Sequence, residues 1–449
     1  MGSPPEQIED MPVLRLRSWV ACLRWTRWRA LLLVLVTLVF LAWWLDAAGR
    51  WCRQAAQRSL RNNSPWTALK WIDRSRSIRG ATGETYLLEA RACARAGLNA
   101  RAISALALAT GQDVDSAALE ACQDLVAAHR GDLAAAERLT TLRTSRLPDC
   151  EIYEAVVRCA LFHGRWDWAR GALAAWEKDL PRDAVVPYLR GRVRELEEQL
   201  EDALREYEAA LRLQPTLAKA AFRRAVILRE LRRFDEAVTL LQRCRGSPFD
   251  LIARIEVADC RWQQGDSDAA WEALEPALSL APQYLMELYL QVEEYIEDDR
   301  AALVATRIRA GQDNAESVVP LAARVLDFNH RNIEARNLLV SALRRLGRTA
   351  EADEQTAIVE QLLDKRRQTT DLRRLLSENP NDLETRCDLA GLYLEAESLM
   401  HAQFELLAVL ERSANHARAH GLLARVYHER ARYAPAFSEL GEYHDRFGR

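Results

Sequence analysis

Lysine is almost missing from this chain of 449 residues: it occurs only at positions 70, 178, 219 and 365, so nearly every positive charge is an arginine. A coding bias of the genome explains this preference, and a need for bidentate recognition of anions is the second explanation. The formal net charge of −3 excludes the strongly basic footprint of a nucleic-acid-binding protein at the level of the whole chain.

Proline and glycine are also scarce, with 14 and 18 occurrences, whereas alanine, leucine, glutamate and arginine are abundant. Such a composition favours helix throughout the chain. The apolar fraction of 49% and the charged fraction of 28% indicate a well-packed body and exclude a disordered one.

The nine cysteines include no CxxC pair and no cysteine–histidine cluster with the spacing of a metal site. Most of them fall where a helix needs a small buried residue, so we expect them to serve packing. Unpaired cysteines fit a reducing compartment better than an oxidising one. His416 and His420 lie four residues apart, but at an expected turn and an expected surface position, so no metal site is predicted.

Catalytic signatures are missing as well. The sequence contains no P-loop, no GxGxxG after a strand, no HExxH and no GxSxG elbow. The acidic cluster from Glu293 to Asp299 is typical of a solvated helix face. We therefore expect no enzymatic activity, no cofactor and no small-molecule substrate.

One uncharged apolar run lies near the N-terminus. Residues 30–45 read ALLLVLVTLVFLAWWL, slightly short of the ~20 residues that span a bilayer core. Two residues directly before the run, Trp28 and Arg29, suit one membrane interface. Two tryptophans at its far end, Trp43 and Trp44, suit the other interface. A cleaved signal peptide is the alternative, but the run is not followed by an A-x-A site. The run predicts an uncleaved transmembrane anchor.

The side of the membrane depends on the arginines that flank this run. Residues 1–29 form a basic tail with slightly more arginines than the segment that follows the run. The positive-inside rule then places the N-terminus in the cytoplasm and the large C-terminal body outside it. The unpaired cysteines instead favour a C-terminal body in the reducing cytoplasm. The predicted orientation of this single-pass membrane protein therefore depends on a small excess of arginines before the run.

The rest of the chain repeats itself with a period near 34 residues. In the stretch from Ala184 to Leu217, Gly191 stands at place eight, Ala203 at place twenty and Tyr207 at place twenty-four. Small residues recur at places eight and twenty in the neighbouring stretches. Two antiparallel helices need small side chains where they cross closely, and a single pair cannot bury its apolar face without stacking on the next pair.

This pattern resembles the tetratricopeptide repeat (TPR), a helix–turn–helix unit of 34 residues. The resemblance covers nearly all residues from 49 to 449, although the tryptophan that the family has at place four is absent. It implies an all-α fold, a right-handed superhelical solenoid of stacked TPR units, and the apolar run predicts one transmembrane helix before it.

The register divides the chain into three parts after the anchor. We predict a TPR array of about seven repeats at 49–284, an irregular helical region with degenerate repeats at 285–382, and a C-terminal TPR pair at 383–449. Within the irregular region, three helices are expected before residue 333, and a separate helix is expected from Thr370. The region is either a hinge between two arrays or a set of degenerate repeats that stack normally.

In this family the first helix of each unit lines a concave groove. The resemblance assigns eight residues to that groove: Arg91, Arg158, Tyr188, Arg192, Lys219, Phe222, Arg229 and Trp262. Arginines interleaved with aromatic residues can bind the carboxylates and apolar side chains of a peptide. The other interpretation is that arginine fills exposed helix positions in a protein that is poor in lysine. The family's asparagine–lysine carboxylate clamp has no counterpart here.

These observations predict a membrane-tethered, non-catalytic scaffold that binds an acidic or amphipathic segment of a partner protein in the groove. The alternative is a structural assembly factor of a membrane or envelope complex, which self-associates or acts through its convex face.

The predicted topology can be tested with reporters fused to the C-terminus. We expect a reporter that is active only outside the cytoplasm to be active there, because the flanking arginines hold the N-terminus inside. A second reporter, active only in the cytoplasm, provides the control at the same fusion point. Activity of the second reporter alone would place the repeats in the cytoplasm.

Overall fold

The computed structural model describes residues 35–37, 40, 43–141, 147–163, 165–292, 299–396 and 398–429. Every regular element within these ranges is a helix, which confirms the predicted all-α fold.

The predicted anchor lies largely outside the described residues, as do Trp28 and Arg29. Trp43 and Trp44 begin the first long helix and are exposed. Among the described helices, none combines the length and the hydropathy that crossing a bilayer requires.

The described helices form ten hairpins, numbered in chain order, each with a first and a second helix joined by a short turn. The first helices are α1 (43–61), α3 (Gly83–Ala96), α5 (Ser116–His129), α7 (Asp149–Phe162), α9 (Val185–Leu196), α11 (Ala218–Glu230), α13 (Asp250–Gln263), α16 (Arg300–Gly311), α18 (Ile333–Arg345) and α20 (Leu383–Glu395). The second helices are α2 (Pro65–Arg79), α4 (Asn99–Thr110), α6 (Leu133–Thr141), α8 (Trp166–Asp179), α10 (Leu200–Leu213), α12 (Phe234–Leu241), α14 (Ser267–Leu278), α17 (Ala315–Phe328), α19 (Thr349–Glu378) and α21 (Leu399–Arg412). The further helix α15 (Pro282–Gln291) lies between hairpins seven and eight, and α22 (417–429) follows hairpin ten.

Two steps between successive first helices are much longer than the others. α13 begins at Asp250 and α16 at Arg300, a step of 50 residues, and α18 at Ile333 and α20 at Leu383 are again 50 residues apart. The first long step contains the additional helix α15. The second contains no additional helix, because its second helix α19 runs for 30 residues without a break.

Three described helices lie before residue 333, as expected, namely α15, α16 and α17, and the irregular region differs from its prediction at one place. Residues 299–332 form an ordinary hairpin, α16 with α17, which stacks on the neighbouring hairpins. The separate helix expected from Thr370 is the second half of α19. Only Ala352, Val359 and Leu376 of α19 are buried, so the middle of this helix is covered mainly by solvent.

The first helices form the inner layer of the solenoid. Along the chain, α3, α5, α7 and α9 contact one another in turn, as do α11, α13, α16 and α18. Each second helix contacts its own first helix and, in most hairpins, the first helix that follows. A first helix is therefore covered on several sides, which explains why polar residues of this layer are buried.

Close packing within a hairpin depends on the small residue at place eight. Gly191 of α9 faces the fully buried Tyr207 of α10, and a methyl group on Gly191 would lie 2.8 Å from Cε1 of that ring. Ala90, Ala225 and Ala258 occupy the same place in other hairpins and are fully buried. The sequence requirement for a small residue is thus a requirement for helix contact.

The described cysteines are all buried and unpaired, as expected for packing residues. Burial raises the pKa of the Cys93, Cys122, Cys244 and Cys260 thiols to about 12. These thiols stay protonated near neutral pH, so they are poor nucleophiles.

Gly191→Ala should lower the free energy of unfolding by about 1–3 kcal/mol, because the fully buried Tyr207 ring has to shift to make room for the methyl group. Denaturant unfolding of the purified chain measures this loss. Gly171→Ala in α8 is the matched control, since a methyl group there meets no atom within 4 Å. Alanine is the better helix former, so the control should be neutral or stabilising. Equal effects at both positions would contradict the packing argument.

Candidate partner-binding face

The inner layer of hairpins two to four carries a chain of ion pairs. Arg91 of α3 binds Glu151 of α7 in a bidentate pair, with Nε–Oε2 and Nη2–Oε1 distances of 2.8 and 2.7 Å. Arg95 of α3 donates from Nε to Oε2 of Glu154 at 2.6 Å. Arg158 donates to the other oxygen of Glu154 at 3.1 Å. Two buried carboxylates of α7 are thus bound by three guanidinium groups.

Arg95 is the most deeply buried cation of this chain of pairs, with a side chain only 2% exposed. Its Nη1 donates to the Leu60 carbonyl at 2.6 Å and its Nη2 to Oδ1 of Asn63 at 2.9 Å. Burial alone would lower the pKa of Arg95, but Glu154 and Glu151 outweigh burial and raise it. Arg95 therefore stays charged and joins hairpins one, two and four.

His129 stands beside this chain of pairs as a neutral ring. Burial, together with Arg158 and Arg95, lowers the pKa of His129 to about 3 in spite of the nearby Glu154. Its Nε2 atom is buried and has no hydrogen-bond partner among the described residues. For Glu154, burial would raise the pKa, but Arg95 and Arg158 lower it below its usual range.

Contacts across the inner face connect hairpins that are far apart in sequence. Asn63 lies in the turn of hairpin one, and its Nδ2 donates to Oδ1 of Asp183 at 2.9 Å. Asp183 lies directly before hairpin five. Gln214, after hairpin five, donates to the Asn62 carbonyl at 3.1 Å. Lys219 of hairpin six reaches the Arg95 carbonyl at 3.5 Å. Hydrogen bonds across the inner face therefore connect hairpin one with hairpin five and hairpin two with hairpin six.

A second cluster of ion pairs centres on Glu256 of α13. This carboxylate accepts hydrogen bonds from Arg229, from Nε of Arg300 at 3.4 Å and from the Tyr289 hydroxyl at 2.6 Å. Burial alone would raise its pKa, but Arg229 and Arg300 outweigh burial and lower the pKa of Glu256 to about 2. Glu256 is therefore ionised at any physiological pH.

Asp259 extends this cluster toward hairpin nine. It accepts from Nη2 of Arg300 at 3.1 Å and from Nη1 of Arg307 at 3.0 Å. Arg307 also binds Glu334 of α18, at 2.5 and 2.7 Å. The guanidinium carbon of Arg307 lies 5.7 Å from the centre of the Trp262 ring, within the range of a cation–π contact.

A smaller group connects hairpins five and six. Glu195 of α9 binds Arg192 on its own helix at 2.8 Å and Arg223 of α11. The hydroxyl of Tyr207 donates to the same carboxylate at 2.5 Å. Each of these groups follows one rule: a carboxylate of the inner layer is bound by cations from more than one helix.

The eight residues predicted for the groove all lie on first helices, but they do not form one open surface. Tyr188, Phe222 and Arg192 are buried. The remaining five are half-buried: Arg91, Arg158, Lys219, Arg229 and Trp262. All four arginines among the eight bind carboxylates of the chain itself. A role for the eight residues in partner binding stays a prediction.

The sequence-based prediction missed the acidic half of this site. The missed residues are three buried carboxylates on first helices: Glu151, Glu154 and Glu256. An acidic residue between the small and apolar residues of a first helix was the available signal, because a buried carboxylate requires a cation.

This arrangement provides charged groups that ion pairs hold in fixed positions. Within the described ranges, no three His, Cys, Asp or Glu side chains converge as metal ligands. The pKa values of Glu154 and Glu256 lie below the ordinary glutamate range and those of the Cys93 and Cys122 thiols are raised to about 12, so these groups keep one protonation state near neutral pH.

No protein-family model matches the sequence, and no curated protein sequence matches it. Among solved structures, it is similar to MamA (residues 41 to the end) from Desulfovibrio magneticus RS-1, with 17% identity, a TM-score of 0.34, and coverage of 40% of this chain and 96% of that one. A tetratricopeptide repeat protein from Parabacteroides merdae ATCC 43184 has 13% identity, a TM-score of 0.35, and coverage of 62% and 99%.

The Cut9–Hcn1 hetero-tetramer of the APC/C is similar over 84% of this chain and 75% of that one, with 13% identity and a TM-score of 0.42. These similarities are too weak to carry an argument about function.

Glu256→Gln should destabilise the chain by about 3–5 kcal/mol at neutral pH, because Arg229 and Arg300 lose their buried counter-charge. Since the folded-state pKa is depressed, this stabilisation is complete above the ordinary glutamate value of ~4.3. It is lost as the pH falls through about 2. Denaturant unfolding of both proteins from neutral pH downward measures the difference.

Glu351→Gln is the control for this pH series, since Glu351 pairs with Arg348 at the exposed start of α19. It should change stability little at any pH, because exposed ion pairs contribute little. A gap between wild type and Glu256→Gln that stays constant with pH would contradict the assignment.

Proposed function

We propose that the chain is a non-catalytic scaffold that binds a segment of a partner protein on the inner face of its first helices. The stacked hairpins and their inner layer support this proposal, because stacked helical repeats create extended surfaces for recognition. The partner segment is acidic or amphipathic in this proposal, and the N-terminal run at 30–45 tethers the scaffold to a membrane.

The observation that carries the proposal is the set of guanidinium groups held in place by buried carboxylates. Arg91 uses Nε and Nη2 for Glu151, so its Nη1 makes no hydrogen bond among the described residues. Arg229 uses Nη1 for Glu256 and Asp259. Their side chains are 14% and 13% exposed. Donors fixed in this way lose little entropy when they bind a carboxylate.

Aromatic surface next to these donors favours an amphipathic partner over a purely acidic one. Trp262 is half-buried on α13 and packs against the hydrophobic core that hairpins four to eight share. An exposed edge of tryptophan beside arginine can cover apolar side chains of a helix or strand while the guanidinium groups bind its acids.

A specific observation also favours the second function, assembly through the convex face. Phe404 and Leu407 lie about one turn apart on the second helix α21 and are 70% and 41% exposed. Large apolar side chains exposed side by side indicate a contact surface. A molecular mass that rises with concentration would favour self-association over the recruiting scaffold.

The inner-face proposal predicts that Lys219→Gln combined with Trp262→Leu weakens capture of the partner by about tenfold, a loss typical of residues at the centre of an interface. Cross-linking of the tethered chain in its native cell, followed by quantitative mass spectrometry, measures the capture. Both substitutions are mild enough to preserve the buried ion pairs.

The matched control is Lys178→Gln combined with Trp168→Leu on the outer helix α8. Trp168 is half-buried, and the guanidinium carbon of Arg165 lies 5.1 Å from the centre of its ring. This cation–π contact resembles the one between Arg307 and Trp262. The control should capture the partner normally. Equal capture by both variants, or equal loss, would exclude the inner face as the binding surface.

A further inference from the structure

The additional helix α15 packs onto the inner layer. Its Leu285, Leu288 and Tyr289 are buried and belong to the main core. The Tyr289 ring meets the edge of Phe222 of α11, with 6.0 Å between the ring centres. The Tyr289 hydroxyl donates to Glu256 of α13 at 2.6 Å. Helix α15 thus contacts the same first helices that carry Arg229 and Trp262.

The far end of α15 reaches hairpin two. A methyl group on Gly97, which ends α3 with a φ of +83°, would lie 3.5 Å from Cγ and 3.7 Å from Cα of Gln291. Helix α15 therefore crosses the inner face from hairpin seven to hairpin two. In this region the chain covers its own inner face with a ten-residue helix.

The docking of α15 includes an uncompensated cost. Both side-chain amide atoms of Gln291, Nε2 and Oε1, are buried and have no hydrogen-bond partner among the described residues. A buried amide without partners opposes burial. A helix of this length is also marginal in water without its docking surface. The position of α15 is a balance between the Tyr289 and leucine contacts and the cost at Gln291.

We propose that the face around Phe222, Glu256 and Gly97 is a receptor for a short apolar helix that carries a phenol, and that α15 is its resident ligand. A partner helix with leucines and a tyrosine at matching spacing replaces α15. The phenol is required because ionised Glu256 accepts its hydrogen bond. This inference rests on the proposed function, since it names the partner's chemistry and what controls access to the inner face.

The test uses the full-length chain and a fluorescent peptide of residues 282–292 as the probe. In the wild-type chain, α15 competes with the probe at an effective concentration on the order of millimolar, because short connections join it to both neighbouring hairpins. Wild type should therefore bind the probe weakly, and substitutions in α15 should change that affinity in predictable directions.

Tyr289→Phe in the chain should tighten binding of the probe about tenfold, since the probe then makes a hydrogen bond to Glu256 that α15 cannot make. Gln291→Met should weaken binding about tenfold, because it removes the buried amide and holds α15 in place. Gln283→Met, at an exposed position of α15, is the matched control and should bind as wild type does.

Two further readouts separate displacement from misfolding. A probe with phenylalanine in place of the residue corresponding to Tyr289 should bind every chain about tenfold more weakly, because it lacks the hydrogen bond to Glu256, and should keep the same preference for the Tyr289→Phe chain. Hydrogen exchange of α15 should be faster in Tyr289→Phe and slower in Gln291→Met, with the other hairpins unchanged. No binding by any variant, or equal binding by all, would overturn the proposal.

The outcomes also distinguish this inference from the scaffold function. If the probe follows the expected order but the inner-face variant still captures its partner, the receptor for α15 stands and the proposed capture surface fails. If capture depends on the inner face but the probe affinity ignores Tyr289 and Gln291, the scaffold stands and the role of α15 fails.

Discussion

A carboxylate buried between helices must be matched by cations wherever the fold can bring them, and this constraint organises the inner layer. Glu154 draws Arg95 from hairpin two and Arg158 from its own helix, while Glu256 draws Arg229 and Arg300 from hairpins on either side. Because guanidinium groups provide several donors in one plane, one arginine can bind two helices together. The scarcity of lysine becomes intelligible at these positions, since an ammonium group cannot form the bidentate pair of Arg91.

The hairpins were predictable from sequence because their determinants are local. The contact between Gly191 and Tyr207 joins residues of one unit, so a fixed spacing reveals it. The charge pairs were not predictable to the same extent. Asn63 and Asp183 lie 120 residues apart, and only the curvature of the whole array brings them together. The arginines were therefore identified, but the carboxylates that bury and orient them were missed, and the surface inferred for them was too open.

Two pairs of successive first helices, α13 with α16 and α18 with α20, begin 50 residues apart, but the segments between them have different structures. In the first, Pro282 cannot continue the preceding helix, so a new helix begins there. In the second, no proline or glycine lies between Thr349 and Glu378. The Thr369–Thr370 pair, which suggests a helix start in the sequence, instead donates its hydroxyls back to the carbonyls of Lys365 and Arg366, both at 3.0 Å. Such bonds within a helix are compatible with its continuation.

Helix α19 also gives the molecule a mechanical property. A continuous helix of 30 residues is about 45 Å long, and its middle carries charged side chains instead of a packed partner. Such an element behaves as a strut: it resists compression along its axis and transmits torque from hairpin nine to hairpin ten. A load applied at the C-terminal end would therefore pass along α19 to α18, the first helix of the same hairpin.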